Sequence, residues 1–314
     1  MDKSVLVKLV GFPATLVHGD PLVLDRWFWL KARLPKTRNG ERLLDVGCGT
    51  GAFSIAASLR GYRALGLSWD ERNQSVAKER AKYCKASSAQ FEVLDIRELD
   101  RRADLVGSFD IVICLETIEH VIEDLKLMRT MAGCMKPGGR LLLTTPYLLY
   151  NAISPGDMGP FSVVEDGWHV RRGYSRVMLE ELCEHSGLRV ERVSYCSGYV
   201  SQKVAAVMRL MSGISALLAW ALILPLRALP PLLDSLVTTI LGWPHYSICL
   251  EAYKPRQLPE CTIRASSASL AGPPRTIDIS GFSPSCSRAA VQSRADRECD
   301  TCKSLTAEIV SAIA

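Results

Sequence analysis

The feature that most constrains this chain is an apolar run that breaks into closely spaced glycines and then takes up helical spacing. Residues 42–51 read RLLDVGCGTG, and AFSIAASLRG follows over 52–61. The Leu/Val run ending in glycines predicts a strand, and the segment after it, with its closing Gly, predicts a helix. The glycines between them let the backbone turn sharply and come close to a ligand. The alternation then repeats: YRALGL (62–67) predicts a second strand and DERNQSVAKERAKYCK (70–85) a second helix, opened by two acids that favour its positive end. QFEVLDI (90–96), FDIVICL (109–115) and GRLLLTTPY (139–147) predict three more strands, with a helix VIEDLKLMRTMAGCM (121–135) between the last two. Apolar strands separated by helices require a parallel sheet covered on both faces, with right-handed crossovers. A chain of 314 residues, 48% of them hydrophobic, can fill such a core without disulfide or metal staples.

After residue 147 the pattern changes. A long, polar, Gly- and Pro-rich connection (148–174) precedes a helix SRVMLEELCEHSG (175–187), a strand LRVERVSYCSG (188–198) and, later, a last strand within YSICLEAYKP (246–255). Connections of that length carry function or are disordered. Between the last two strands, Leu210 to Leu226 is free of charge, at the short edge of the ~20 apolar residues that span a bilayer. Arg209, Pro225, Arg227, Pro230, Pro231 and Asp234 interrupt it. Two readings stay open: a helical hairpin that dips into a membrane face through 204–243, and an extra buried helix pair. The predicted organisation is therefore an N-terminal helical extension (1–41), a core (42–198), an apolar helical hairpin (199–245), the last strand (246–255) and a low-complexity tail (256–314). The tail is expected to be disordered, with a short terminal helix over 303–314.

A net charge of +5 is too mild to imply nucleic-acid binding. Of the eleven cysteines, Cys48, Cys84, Cys114, Cys134, Cys183, Cys196 and Cys249 fall on apolar strands or helices, where free thiols act as small hydrophobes. Without a signal-peptide pattern, the expected compartment is a reducing cytosol, peripheral to the inner membrane face if the hairpin docks there. Cys299 and Cys302 form a lone CxxC lacking two further ligands, so no metal site is expected.

Four segments in order, LLDVGCGTG, FEVLDI, FDIVICLETIEHV and MKPGGRLLLTTP, resemble those of class I S-adenosylmethionine-dependent methyltransferases, especially ubiquinone-pathway O-methyltransferases. The resemblance covers 42–147 well and 165–198 more loosely. It implies a doubly wound α/β (Rossmann-like) fold with a seven-stranded sheet, the seventh strand antiparallel, and S-adenosylmethionine as cofactor. The GxGxG spacing differs from the GxGxxG of dinucleotide folds, which argues against an NAD-dependent oxidoreductase. A non-catalytic, membrane-attached scaffold with the same fold is the other alternative.

The resemblance also assigns roles. Gly47, Gly49 and Gly51 line the methionine and ribose portion, and Asp45 meets the amino group. Asp95 accepts from the adenine amine, with Ile96 against the ring, and Leu115 and Glu116 border cofactor and acceptor. The acid usual at the end of the second strand is replaced here by Ser68. Asp70, two residues on, is expected to reach back for the ribose, with Trp69 near the adenine; a simple helix cap is the competing role for Asp70. His120, in ETIEHV, is the first choice for a general base, since an imidazole can take a proton at neutral pH, and Glu116 is a further catalytic candidate beside it. In DGWHVRRGYS (166–175), His169 is the alternative base, Arg171 and Arg172 are candidates for an anionic acceptor, and Tyr174 for closing the pocket. The expected reaction is in-line O-methylation of a small molecule, glycan or lipid-linked intermediate, with C- and N-methylation left open because the motifs concern the donor.

Overall fold

The structure, a computed structural model, describes residues 4–17 and 19–256. The strands are β1 (Arg42–Val46), β2 (Arg63–Ser68), β3 (Ala89–Val93), β4 (Phe109–Leu115), β5 (Met135–Pro146), β6 (Arg189–Cys196) and β7 (Ser247–Tyr253). They form one seven-stranded sheet in the order β3-β2-β1-β4-β5-β7-β6. β1 to β5 pair in parallel, and β7 runs antiparallel to both β5 and β6.

The helices are α1 (Val5–Val10), α2 (Phe12–Val17), α3 (Val23–Arg33), α4 (Ala52–Leu59), α5 (Glu71–Tyr83), α6 (Asp124–Cys134), α7 (Arg176–His185), α8 (Tyr199–Ser212), α9 (Ala216–Leu226) and α10 (Leu229–Leu241). Successive side chains of a strand point to opposite faces, and the two cores divide accordingly. Leu44, Val46, Val112, Cys114, Leu141 and Leu143 pack with Leu127 and Met131 of α6 and Leu179 of α7. Leu43, Ile111, Ile113 and Leu142 pack on the other face with Trp29 and Leu30 of α3 and Ala56 of α4. Helix α3 is tied down by polar contacts as well: Trp29 Nε1 donates to Ser194 Oγ at 3.0 Å, and Arg33 meets Glu251 at 2.8 Å.

Four local differences from the sequence reading have physical causes. The helix placed at 121–135 begins at Asp124, because Val121 is extended after the 3-10 turn Ile118–His120 and Glu123 is still non-helical. β5 starts at Met135 rather than 139, since Gly138 N–H donates to Lys254 O and draws the MKPGG segment into the sheet. β3 ends at Val93, and Asp95 caps a 3-10 helix (Ile96–Arg101) instead of ending the strand. The 199–245 insertion is three helices, not a hairpin. α9 and α10 meet at a 72° bend beside Arg227, whose guanidinium turns inward to Gly19 O at 2.6 Å. The tail beyond Arg256, including Cys299, Cys302 and the helix placed at 303–314, lies outside the described residues.

Candidate active site

Strand order reverses between β1 and β4, and in open parallel sheets the carboxyl ends at such a reversal form a ligand crevice. A cleft of about 500 Å³ lies there. Gly47 and Gly49 wall it after β1, Ser68 and Trp69 after β2, Ile96 and Asp95 after β3, and Thr117 and His120 after β4. The three glycines do different work. A Cβ on Gly47 would lie 2.4 Å from the Thr117 side chain, and one on Gly51 would lie 2.7 Å from Phe91 and 2.8 Å from the Ala77 Cβ. A Cβ on Gly49 would meet nothing within 4 Å. Gly51 is thus a packing glycine outside the cleft wall, whereas Gly49 presents bare backbone to the cleft.

Asp45 sits beneath the turn, buried, accepting from Ser54 Oγ at 2.6 Å; burial pushes its pKa up to about 7. Ser68 lines the cleft, but Asp70 does not: its Oδ1 accepts from Arg72 N at 2.8 Å and Asn73 N at 3.1 Å, capping α5. Asn73 lines the cleft instead. The sequence reading passed over it, although Asn73 lies one helical turn beyond the cap. Trp69 stands 62% exposed at the rim.

Asp95 accepts from Arg97 N at 3.0 Å and from Arg97 Nε at 2.9 Å, and the bonds from Arg97 hold its carboxyl below the usual range. Arg97 reaches further, donating from Nη1 to Glu165 at 2.8 Å, and Glu165 also accepts from Ile122 N. Glu165, Asp166 and Gly167 also wall the cleft, Gly167 beside Trp69. The 162–172 segment is therefore a strap latched to the cleft wall by Arg97, a residue sequence reasoning did not single out.

The strap continues to the Ile118–His120 turn. Val170 N donates to Glu119 O at 3.1 Å, and the His169 ring meets the His120 ring edge-on, with centroids 4.6 Å apart. Burial and the neighbouring His120 lower the His169 pKa to about 4. Glu119 is fully buried, with Oε2 accepting from Thr145 Oγ1 at 3.0 Å and Oε1 3.9 Å from His120 Nε2. Burial and the nearby Glu116 raise its pKa well above the carboxylate range. Ligand atoms of Glu119, His120 and His169 all lie within 4.8 Å of one another. Imidazoles with a carboxylate suit a divalent cation, a donor set the sequence reading, guided by the cysteines, did not foresee.

Other predicted residues spend their polar groups on partners outside this cluster. Glu116, with φ +51°, turns to Arg26 of α3 at 3.0 Å and Ser247 Oγ at 3.0 Å. Leu115 packs into the core beneath α3 and α4. Arg171 donates to Asp124 and to the carbonyls of Val121 and Ile122, Arg172 donates to Tyr150 O at 2.6 Å, and Tyr174 is fully buried with its hydroxyl on Asp124 at 2.8 Å. These three anchor the strap to the core.

A doubly wound sheet of this order with an antiparallel seventh strand, and a cleft at its switch point, define the class I S-adenosylmethionine-dependent methyltransferase fold. The chain belongs to that family: residues 24–193 match the methyltransferase domain model. It is 37% identical over 106 residues to a ubiquinone biosynthesis O-methyltransferase of Marinobacter nauticus, covering 34% of this chain and 44% of that protein. It is 30% identical over 158 residues to one of Coxiella burnetii, covering 49% and 66%. The chain thus spans less than two thirds of the length of these relatives. Among solved structures, Haemonchus contortus phosphoethanolamine N-methyltransferase 2 in complex with S-adenosyl-L-methionine superposes with a TM-score of 0.53 at 19% identity, covering 82% of this chain and 60% of that one.

The residues present fit S-adenosylmethionine. The cleft volume is in the range of small-ligand sites, Gly49 leaves room for close backbone approach, and Ser68, Asn73 and Asp95 supply polar groups along the wall.

Proposed function

We propose that the chain transfers a methyl group from S-adenosylmethionine to a hydroxyl oxygen of a small-molecule or lipid-linked acceptor, with His120 taking the proton. S-adenosylmethionine supplies a methyl group already activated on a sulfonium. The backbone at Gly47 and Gly49 holds its methionine and ribose portion, with Asp45 beneath the turn for the amino group. Ser68 and Asn73 take the ribose hydroxyls, a role Asp70 yields by capping α5. Asp95 shares its carboxylate between Arg97 and the adenine amine, Ile96 packs on the ring, and Trp69 closes the rim.

The observation that carries the reading is the meeting of the cleft with a buried carboxylate and two imidazoles. His120 lines the cleft and has Glu119 behind it. His169 is not part of the cleft wall; its ring sits edge-on to His120, and burial lowers its pKa to about 4, so in this reading it positions His120 and is not the base. Glu116, paired with Arg26 and Ser247, and Leu115, packed in the core, take no part in the proton transfer. An O-methyltransferase needs a base, and the name of the curated relatives points to the same atom type.

General-base removal costs about 10²–10⁴-fold in rate. His120→Ala is expected to lose that much turnover, measured with labelled donor and a host lysate split into lipid and aqueous acceptor fractions, while calorimetric affinity for S-adenosylmethionine is kept. An unchanged rate would defeat the assignment.

A further inference from the structure

The α9–α10 pair is built inside-out for a water-facing element. Between Arg209 and His245 the sequence holds only two charged residues, Arg227 and Asp234, and both turn toward the protein. Arg227 is 5% exposed and bonds Gly19 O. Asp234 accepts from Gly198 N at 2.6 Å and from Ser201 N and Oγ at 3.1 Å each, and Thr238 Oγ1 accepts from Tyr199 N at 2.8 Å. The polar stripe of α10 thereby satisfies the free N–H groups at the start of α8, as a cap would. Its leucines are left outside: Leu232, Leu236 and Ile240 are 76%, 62% and 73% exposed, and Leu217 of α9 is 62% exposed.

Such a surface needs a cover, because contiguous exposed apolar area marks an interaction site. The outward face carries no charged group to set the register of a protein partner. A bilayer asks for none. At the far end of α10 the Lys203 ammonium lies 4.8 Å from the Trp243 ring and 5.2 Å from that of Tyr199. Aromatic rings with a cation beside an apolar face are the arrangement that settles at lipid headgroups. No single helix among the described residues is long and apolar enough to cross a membrane, and the 72° bend suits lying in one face.

We infer that the outward face of α9 and α10 docks on a lipid bilayer, as a peripheral and not a spanning attachment. The inference stands apart from the methyl-transfer reading. The test is flotation of the full chain with phosphatidylcholine/phosphatidylglycerol vesicles, beside a Leu217→Glu/Leu236→Glu/Ile240→Glu variant, with S-adenosylmethionine affinity measured calorimetrically on both as a check of folding. All three positions are exposed, so the variant keeps the fold. The expected result is that the parent floats and the variant partitions at least tenfold less, with equal cofactor affinity. Equal flotation of both would overturn the inference. So would a parent that stays with the soluble fraction, whether as a monomer or as a dimer that the variant splits.

Discussion

Gly49 and Gly51 stand two residues apart in one turn, and replacing each by Ala should give opposite phenotypes. Both have left-handed backbone, φ +51° and +79°, and a side chain in that region costs roughly 1–2 kcal/mol. For Gly49→Ala that is the whole stability cost, since the new methyl meets nothing within 4 Å. At about 2–4 °C per kcal/mol for a domain of this size, the melting temperature should fall by only a few degrees. The methyl would project into the cleft, however, where cofactor backbone contact is proposed, so affinity for S-adenosylmethionine should drop at least tenfold. Gly51→Ala adds overpacking, because its methyl would lie 2.7 Å from Phe91 and 2.8 Å from Ala77. Overpacking typically costs about 1–3 kcal/mol, for a combined loss of roughly 2–5 kcal/mol. Thermal denaturation and calorimetric titration of both variants measure the two effects. Full cofactor affinity in Gly49→Ala, or equal stability of the two variants, would refute the division of labour in the turn.

Arg97→Ala should free the strap, seen as faster amide exchange across 162–170 with a stability loss of no more than ~1 kcal/mol, because the Arg97 side chain is 46% exposed; unchanged exchange would rule out a latch. Asp70→Ala should cost about 1 kcal/mol through its lost cap and leave cofactor affinity nearly intact, whereas Asn73→Ala should weaken binding more. The reverse order in titration would return the ribose role to Asp70. His169 is held at about 4 in the fold against 6.5 ordinarily, so the unfolded chain binds its proton first. Stability is fully present above pH 6.5 and is lost as pH falls toward 4. His169→Gln should flatten that limb in melting curves taken from pH 7 to 4, and an unaltered slope would show that His169 does not contribute to it.

The fold was legible in the sequence because its signals are local. Continuous apolar runs, helical spacing and a glycine turn lie within windows of ten or so residues, and burial on both faces follows from the strands having no polar side. The order of the four motif segments carried the family and the cofactor for the same reason. The site was legible only in outline. That Asp70 caps α5 while Asn73 faces the cleft depends on the rotation of one helix turn. That Glu119, and not Glu116, joins His120 depends on a 3-10 turn and a left-handed residue after β4. Pairings such as Arg97 with Glu165, 68 residues apart, Arg26 with Glu116, 90 apart, and His120 with His169 arise only when the chain closes on itself. Hydropathy could likewise find the 199–245 insertion but not its polarity, since whether Asp234 faces water or the start of α8 is settled by where α8 lies. Local chemistry chooses the elements; which side chains meet, and which face stays bare, is chosen by packing between segments distant in the chain.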